Sequence, residues 1–307
     1  MTNNNLHPNP YEIIRDQLRH DLNFRVASFK PNISKKLKSL WDNREGIEDV
    51  NWEELPEHWS KLKFDEIIGE VKKHVRKKLI KQIGKDDNYI KAFLEIFEYV
   101  EYIVNARLIY TLCSFNTSEL YNFMTDLFNE KLLGNYLKFQ KADDLKNSFI
   151  KRKWFHTAQD DGRLINDELT ISIEIKTNAK TKGTTLKCEQ LAKHSWLLNN
   201  NANIKCKRIL AIVPEKNGEL FCLDNSVLND RGFLRCSKVT TKFRNFCDDT
   251  GFKVEEMEEQ ISSIRPIVRT FKNLLDCASK KDRNGNPLYS KDIIDSFLKI
   301  LETSSKK

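Results

Sequence analysis

One short stretch of the sequence alternates apolar residues with residues that could do chemistry. The members of this alternation are, in order, Ile171, Ser172, Ile173, Glu174, Ile175 and Lys176. A period of two with β-branched residues predicts a β-strand that has one apolar and one polar face. Glu174 and Lys176 would then share a face, with their Cα atoms about 6.5–7 Å apart. Because a carboxylate binds a hard divalent cation and a neighbouring lysine directs positive charge at a phosphate or a water, the pair suits metal-assisted chemistry.

A metal site of this kind needs a second carboxylate, and the sequence offers one just upstream. Residues 160–165 read as a short strand and residues 166–168 as a polar turn, which predicts a β-hairpin with the strand that carries Glu174. An aspartate at the open end of the first strand would lie beside Glu174. We favour Asp161, which leads directly into the strand; Asp160 stays open as the alternative.

Asp161 followed by Glu174-Ile175-Lys176 resembles the signature of the PD-(D/E)XK nuclease superfamily, whose best-known members are type II restriction endonucleases. No proline precedes the aspartate here, which departs from the family pattern. The resemblance implies that Asp161, Glu174 and the main-chain carbonyl of Ile175 hold one or two Mg²⁺ ions. It also implies that Lys176 positions or helps deprotonate the attacking water. Gln190 resembles the glutamine with which some members hold substrate or metal water.

The acid–x–lysine spacing alone carries little information, because it also occurs at Glu70/Lys72 and Asp144/Lys146 in helix-like segments. The blander interpretation of Glu174 and Lys176 is an exposed charge pair, which contributes less than about 1 kcal/mol to stability. The predicted hairpin and the upstream carboxylate distinguish the third occurrence from the other two.

The elements that follow extend the resemblance. Residues 185–198 read as a helix, and residues 208–214 form a continuous apolar run typical of a strand buried on both faces. A crossover through that helix predicts that the strand pairs parallel with the strand of Glu174. The resemblance covers about residues 117–225. Three lysines that follow the active strand are expected to contact DNA: Lys180, Lys182 and Lys187.

We therefore expect an α/β (α+β) fold, with a mixed central sheet of the restriction-endonuclease-like type flanked by helices and a largely helical N-terminal half. Residues 1–115 are predicted to be mainly helical and to serve DNA contact or dimerisation. Residues 116–230 would form the catalytic core, and residues 231–307 a basic loop region with C-terminal helices. A helix predicted over residues 64–83 carries six basic residues and no acid between positions 71 and 81, which favours contact with phosphates.

Composition narrows the class of protein. The chain has 307 residues and a net charge of +8, from 52 basic and 44 acidic side chains, which favours an anionic partner. No apolar run approaches the roughly 18 residues of a membrane helix, and the start does not read as a signal peptide. Seven cysteines without a C-x-x-C pair indicate free thiols rather than zinc or disulfides. A cytoplasmic protein without a membrane partner or any small-molecule cofactor beyond the metal is expected.

The resemblance implies a Mg²⁺-dependent, sequence-specific endonuclease that hydrolyses phosphodiester bonds of double-stranded DNA, as a type II restriction enzyme and as a homodimer. Two alternatives stay open. One is another phage- or mobile-element-encoded nuclease of the same superfamily, acting on DNA or RNA. The other is a catalytically inactive nucleic-acid-binding module.

Overall fold

The computed structural model describes residues 63–83, 100–140, 161–177, 198, 205–216, 219–220, 255 and 266–304. The chain divides into two compact units, one of residues 9–110 and one that comprises residues 111–307 with residues 1–8. In the described part of the chain, no helix is both long enough and apolar enough to cross a membrane.

The described part of the first unit consists of helix α1 (Phe64–Ile83) and the first residues of helix α2 (Val100–Ser114). Phe64 is buried and lies against the ring of Tyr110, with 5.7 Å between ring centroids. The guanidinium of Arg107 stacks over Phe64 at 4.4 Å and forms an ion pair with Asp65. The helix predicted over residues 64–83 is thus confirmed.

The second unit is built on a mixed five-stranded sheet. Its strands, in spatial order, are β1 (Lys138–Phe139), β2 (Gly162–Ile165), β3 (Leu169–Ile175), β4 (Cys206–Val213) and β7 (Pro266–Thr270). The pairs β1–β2 and β2–β3 are antiparallel, whereas β3–β4 and β4–β7 are parallel. A separate two-stranded hairpin joins β5 (Glu215–Lys216) to β6 (Glu219–Leu220). The predicted hairpin before β3 and the predicted parallel partner after it are both confirmed.

Three helices complete the described part of this unit: α3 (Thr117–Phe128), α4 (Phe271–Ala278) and α5 (Lys291–Ser304). Their core is aromatic, with Phe123 stacked on Phe297 at 5.3 Å and edge-to-face with Tyr289 at 5.8 Å. Asn116 followed three residues later by Glu119 is the sequence pattern of a capping box, and this capping box starts α3. The apolar pattern predicts a helix from Leu120 to Leu133, but α3 ends at Phe128 because Asn129 adopts the left-handed conformation.

Helix α3 packs near the apolar face of the sheet. Register places Arg269 beside Ile212 and Arg208 beside Ile171. Arg269 donates to the carbonyl of Phe128 at 3.2 Å, and Arg208 donates to Glu130 at 3.1 Å. Because paired residues of adjacent strands share a face, α3 and Ile171 lie on the same side of the sheet. The alternate face, which carries Glu174, is the opposite one.

Strand β7 corrects a sequence expectation. The apolar pattern of residues 255–278 predicts a helix that Pro266 kinks or splits, but residues 266–270 form the edge strand beside β4 and the described residues 271–278 form a separate helix. Pro266 is the first residue of this strand, where the missing N–H costs no interior ladder bond. The β-branched residues that follow favour an extended chain. Thr270 then caps α4 through a hydrogen bond from the Asn273 N–H.

The side chain of Asn166 stabilises the turn between β2 and β3. Asn166 accepts hydrogen bonds from the backbone N–H groups of Glu168 and Leu169 and donates to the carbonyls of Leu133 and Tyr136, all at 2.7–2.9 Å. Gly134 has φ +84°, and a Cβ there would lie 2.5 Å from the Asn166 amide nitrogen. Glycine is therefore required both for the backbone conformation and for the close approach.

We predict that Asn166→Ala lowers the free energy of unfolding by about 2–4 kcal/mol, because four hydrogen bonds of about 1 kcal/mol each are lost and buried backbone groups lose their partner. Urea denaturation monitored by circular dichroism measures the change. Asn122→Ala on the exposed side of α3 is the matched control and should shift stability by less than about 0.5 kcal/mol. Equal losses of unfolding free energy in the two variants would contradict the proposed stabilisation of the turn by Asn166.

Candidate active site

Strand β3 is buried on both of its faces. All seven of its residues are buried, including Ser172 and Glu174 on the polar side, and Lys176 directly after the strand is buried too. The alternation predicted from the sequence is present, but the polar face is not a solvated one. Burying polar groups destabilises the folded state unless those groups are paired or hydrogen-bonded.

Glu174 and Lys176 form a direct ion pair on this face. The Lys176 ammonium lies 2.6 Å from Glu174 Oε1, and the two side chains are only 10% and 6% exposed, respectively. The interpretation of these residues as an exposed charge pair is therefore wrong. The contrast is clear at the other end of the strand, where Glu168 pairs with Lys205 at 3.0 Å with side chains 40% and 74% exposed.

Asp161 lies directly beside this pair. The β2–β3 ladder ends at Gly162 opposite Ile173, so β3 continues for two residues without a ladder partner in β2. The Asp161 N–H donates to the carbonyl of Ile173 at 3.0 Å, and its Oδ2 accepts from the N–H of Ile175 at 2.6 Å. Asp161 thus lies directly before the first residue of β2, and its carboxylate is held by Ile175, the residue next to Glu174 in β3.

The main chain of Ile175 adds a third oxygen at this edge. The N–H and C=O of one strand residue point to the same neighbouring strand, so the Ile175 carbonyl points to the side of Asp161. Two carboxylates and a carbonyl are hard oxygen donors of the kind that Mg²⁺ prefers. A carboxylate offers about four lone-pair sites, so the hydrogen bond from Ile175 leaves Asp161 capacity for a ligand. These residues fit a divalent cation.

A metal site rich in histidine or cysteine has no support here. Within the described ranges, no group of three or more His, Cys, Asp or Glu side chains is placed to hold a metal. Any cation at Asp161 and Glu174 would therefore complete its coordination with water or substrate oxygens, which is the usual behaviour of Mg²⁺.

The remaining predicted site residues divide into two groups. The first group lies outside the residues that the structure describes and consists of Asp160, Gln190, Lys180, Lys182 and Lys187. The resemblance also implies a possible extra acid from the helix before the hairpin, and the two candidates for it, Glu119 and Glu130, have other partners. Glu119 belongs to the capping box of α3, and Glu130 contacts Arg208 on the opposite face of the sheet.

Sequence reasoning missed one charged residue of this face, Arg163. It pairs in register with Ser172, so its side chain shares the face of Glu174, and it is 3% exposed. The sequence could have indicated this, because Arg163 stands two positions after Asp161 in the strand predicted over residues 160–165. In their ionised forms, Asp161, Glu174, Arg163 and Lys176 together carry no net charge, which lowers the cost of burying them.

A further lysine stands on the same face at the other end of the sheet. Lys207 on β4 pairs in register with Thr170. Burial lowers the pKa of the Lys207 ammonium below its usual range, because desolvation disfavours the charged form.

Comparisons of the chain with protein-family models, with curated proteins and with solved structures found no match. The geometry of the site is therefore the basis for the functional proposal below.

We predict that Lys176→Met lowers the free energy of unfolding by about 3–5 kcal/mol, because it leaves the Glu174 carboxylate buried without its cation. The double variant Glu174→Gln/Lys176→Met should regain most of that loss. Urea denaturation of the four proteins of this cycle gives the coupling energy directly.

The exposed pair at the other end of the strand provides the control for this cycle. Glu168→Gln/Lys205→Met and its single variants should each change stability by less than about 1 kcal/mol. A coupling energy between Glu174 and Lys176 no larger than that of the control pair would contradict their buried interaction.

Proposed function

We propose that this protein is a Mg²⁺-dependent nuclease of the PD-(D/E)XK type, with Asp161, Glu174 and Lys176 as its active-site residues. The observation that carries the proposal is the buried Glu174–Lys176 pair with Asp161 on the backbone of the residue between them. Burying an acid and a base beside a second acid costs stability. A role in binding a metal ion and a phosphate would explain why these charged residues are buried together.

The order of the strands supports the same proposal. An antiparallel hairpin carries the two acids, and a parallel strand follows the acid–lysine strand. This is the order of elements expected for the superfamily core, within the more general mixed sheet flanked by helices. The helix predicted between β3 and β4 lies outside the described residues, except for the single helical position Leu198.

The chemistry proposed is hydrolysis of a phosphodiester. A water oxygen attacks phosphorus, the bond from phosphorus to the leaving sugar oxygen breaks, and the water's proton ends on solvent or on the leaving oxygen. A Mg²⁺ held by Asp161, Glu174 and the Ile175 carbonyl would supply Lewis-acid stabilisation of the charge that builds on the phosphate. Lys176 orients the attacking water and places a fixed cation beside the developing negative charge.

The two acids are held in place by different partners. Asp161 is fixed by the N–H of Ile175, so its carboxylate is held in place before any ligand arrives. Glu174 is fixed by the Lys176 ammonium. A preorganised arrangement of this kind avoids the cost of ordering the side chains during the reaction.

The substrate proposed is double-stranded DNA cut at a short specific sequence, by a homodimer, because a two-fold pair of sites cuts both strands of a palindrome. The basic net charge favours a nucleic acid of either kind. Cleavage without a specific sequence, or of RNA, is the second form of the same proposal.

We predict that the purified protein cuts plasmid DNA with Mg²⁺ and that Lys176→Met lowers the cleavage rate at least about 100-fold, because a charge-stabilising group is removed. Glu174→Gln and Asp161→Asn should lower it further, and EDTA should abolish it. Gel electrophoresis with sequencing of the fragment ends measures rate and specificity together. Fragments that share one short end sequence would support a restriction enzyme, and random ends a nuclease without sequence preference.

Glu168→Gln and Lys205→Met are the matched controls, because they make the same chemical changes at the opposite end of β3. Both should leave the cleavage rate within about two-fold of the original protein, as expected for exposed residues away from the site. Loss of cleavage in these controls would assign the effect to folding instead. DNA binding without cleavage under all metal conditions would contradict the nuclease proposal and leave a binding module.

A further inference from the structure

Helix α1 carries a dense group of basic side chains that the proposed active site does not use. Lys72, Lys73, Arg76 and Lys77 stand in its central turns, and the last three of them are exposed. They belong to a run of six basic residues with no acid between positions 71 and 81. We call these four residues the α1 basic face.

The helical period places these four residues on one side. At about 100° per residue, positions 72, 76, 73 and 77 point at about 0°, 40°, 100° and 140° around the axis. The buried residues Phe64, Ile67 and Ile68 fall between about 220° and 320° on the same scale. The basic arc is therefore centred about 160° away from the buried arc, so it is directed away from the packed side of the helix.

Two ordinary explanations for basic residues in a helix fit this one poorly. The macrodipole favours cations only in the last turn, whereas these four precede residue 80. Solubility is served by charges of both signs intermixed, whereas α1 has its acids Asp65, Glu66 and Glu70 before these four residues, and Glu70 pairs with Lys73. The four residues form two pairs of positive charges on successive turns, and the turns are about 6 Å apart along the helix axis. Such a repeat suits the regularly spaced negative charges of a sugar-phosphate backbone.

We propose that the α1 basic face binds the sugar-phosphate backbone of a nucleic acid, separately from the catalytic residues. Phosphate contacts carry no sequence information, so this surface would raise affinity and fix orientation, while base readout would come from elsewhere. The inference rests on the proposed function for its partner, but it makes its own claim about Arg76 and Lys77. Those two residues are exposed and are not the partner of Glu70.

The test measures binding in EDTA, where cleavage is excluded. Fluorescence anisotropy with a labelled 20-base-pair DNA duplex, and with an RNA duplex of the same sequence, gives the association constant between 50 and 300 mM salt. Arg76→Glu/Lys77→Glu should weaken binding at least about tenfold at low salt. It should also reduce the slope of log K against log[salt] by about 2, because each lost phosphate contact removes about 0.9.

The control variant makes the same change of net charge on other helices. Lys272→Glu/Lys291→Glu alters two exposed lysines of α4 and α5 and should weaken binding less than about threefold, with the slope preserved. Equal effects of the two double variants would overturn the proposal in favour of net charge alone, and so would an unchanged affinity of Arg76→Glu/Lys77→Glu. Circular dichroism melts of both variants exclude loss of folding as the cause.

Glu174→Gln separates this inference from the proposed function. It should lose cleavage in Mg²⁺, whereas the α1 variant should lose affinity in EDTA. Unaltered binding by the α1 variant together with loss of cleavage in Glu174→Gln would overturn the α1 surface and leave the nuclease intact. Weakened binding by the α1 variant together with retained cleavage in Glu174→Gln would overturn the proposed active site and keep the surface. Preference for DNA or for RNA in the two arms identifies which backbone is the natural one.

Discussion

The structure of the second unit depends on an unusual constraint, which is that an acid and a base are buried together on a central strand. Removing an ion pair from water costs several kcal/mol per charge, and mutual attraction repays this only with good geometry. Glu174 and Lys176 meet the condition because the strand holds them on one face, two residues apart. Replacing a buried ion pair by apolar residues of similar volume is often neutral or stabilising, so stability alone does not account for this pair.

The strands and the turn around β3 hold Glu174 and Lys176 in this position. Parallel pairing to β4 through seven successive residues fixes β3 in the middle of the sheet. Antiparallel pairing to β2 stops at Gly162, and this early end lets the Asp161 side chain reach the Ile175 N–H. Asn166 fixes the turn that sets the register between β2 and β3. Because a slip of one residue would move every side chain of the strand to the opposite face, the register decides whether the acids meet at all.

Much of this arrangement could be predicted from the sequence, because local patterns specify it. Alternation identified β3, turn residues identified the hairpin, and a continuous apolar run identified β4. Residues 266–270 were misassigned because a short edge strand before a helix has too little periodicity of its own to be recognised. Its strand character comes from pairing with β4, which is a tertiary effect that no local pattern contains.

The site was only partly predictable, for a related reason. Spacing indicated Asp161, Glu174 and Lys176, but it could not show that the polar face is buried, because burial depends on what covers the strand. Arg163 was not singled out from the sequence, although its position two residues after Asp161 is compatible with the same face and register places it on the face of Glu174.

The central claim is that Asp161 and Glu174 together hold a divalent cation, and metal binding tests it without reference to any substrate. Isothermal titration of the purified protein with Mn²⁺, which takes the same oxygen ligands as Mg²⁺, should give saturable binding. Asp161→Asn and Glu174→Gln should each weaken that binding at least about tenfold, while Glu168→Gln should leave it unchanged. Equal Mn²⁺ affinity in all four proteins, or no saturable binding in any of them, would contradict the account.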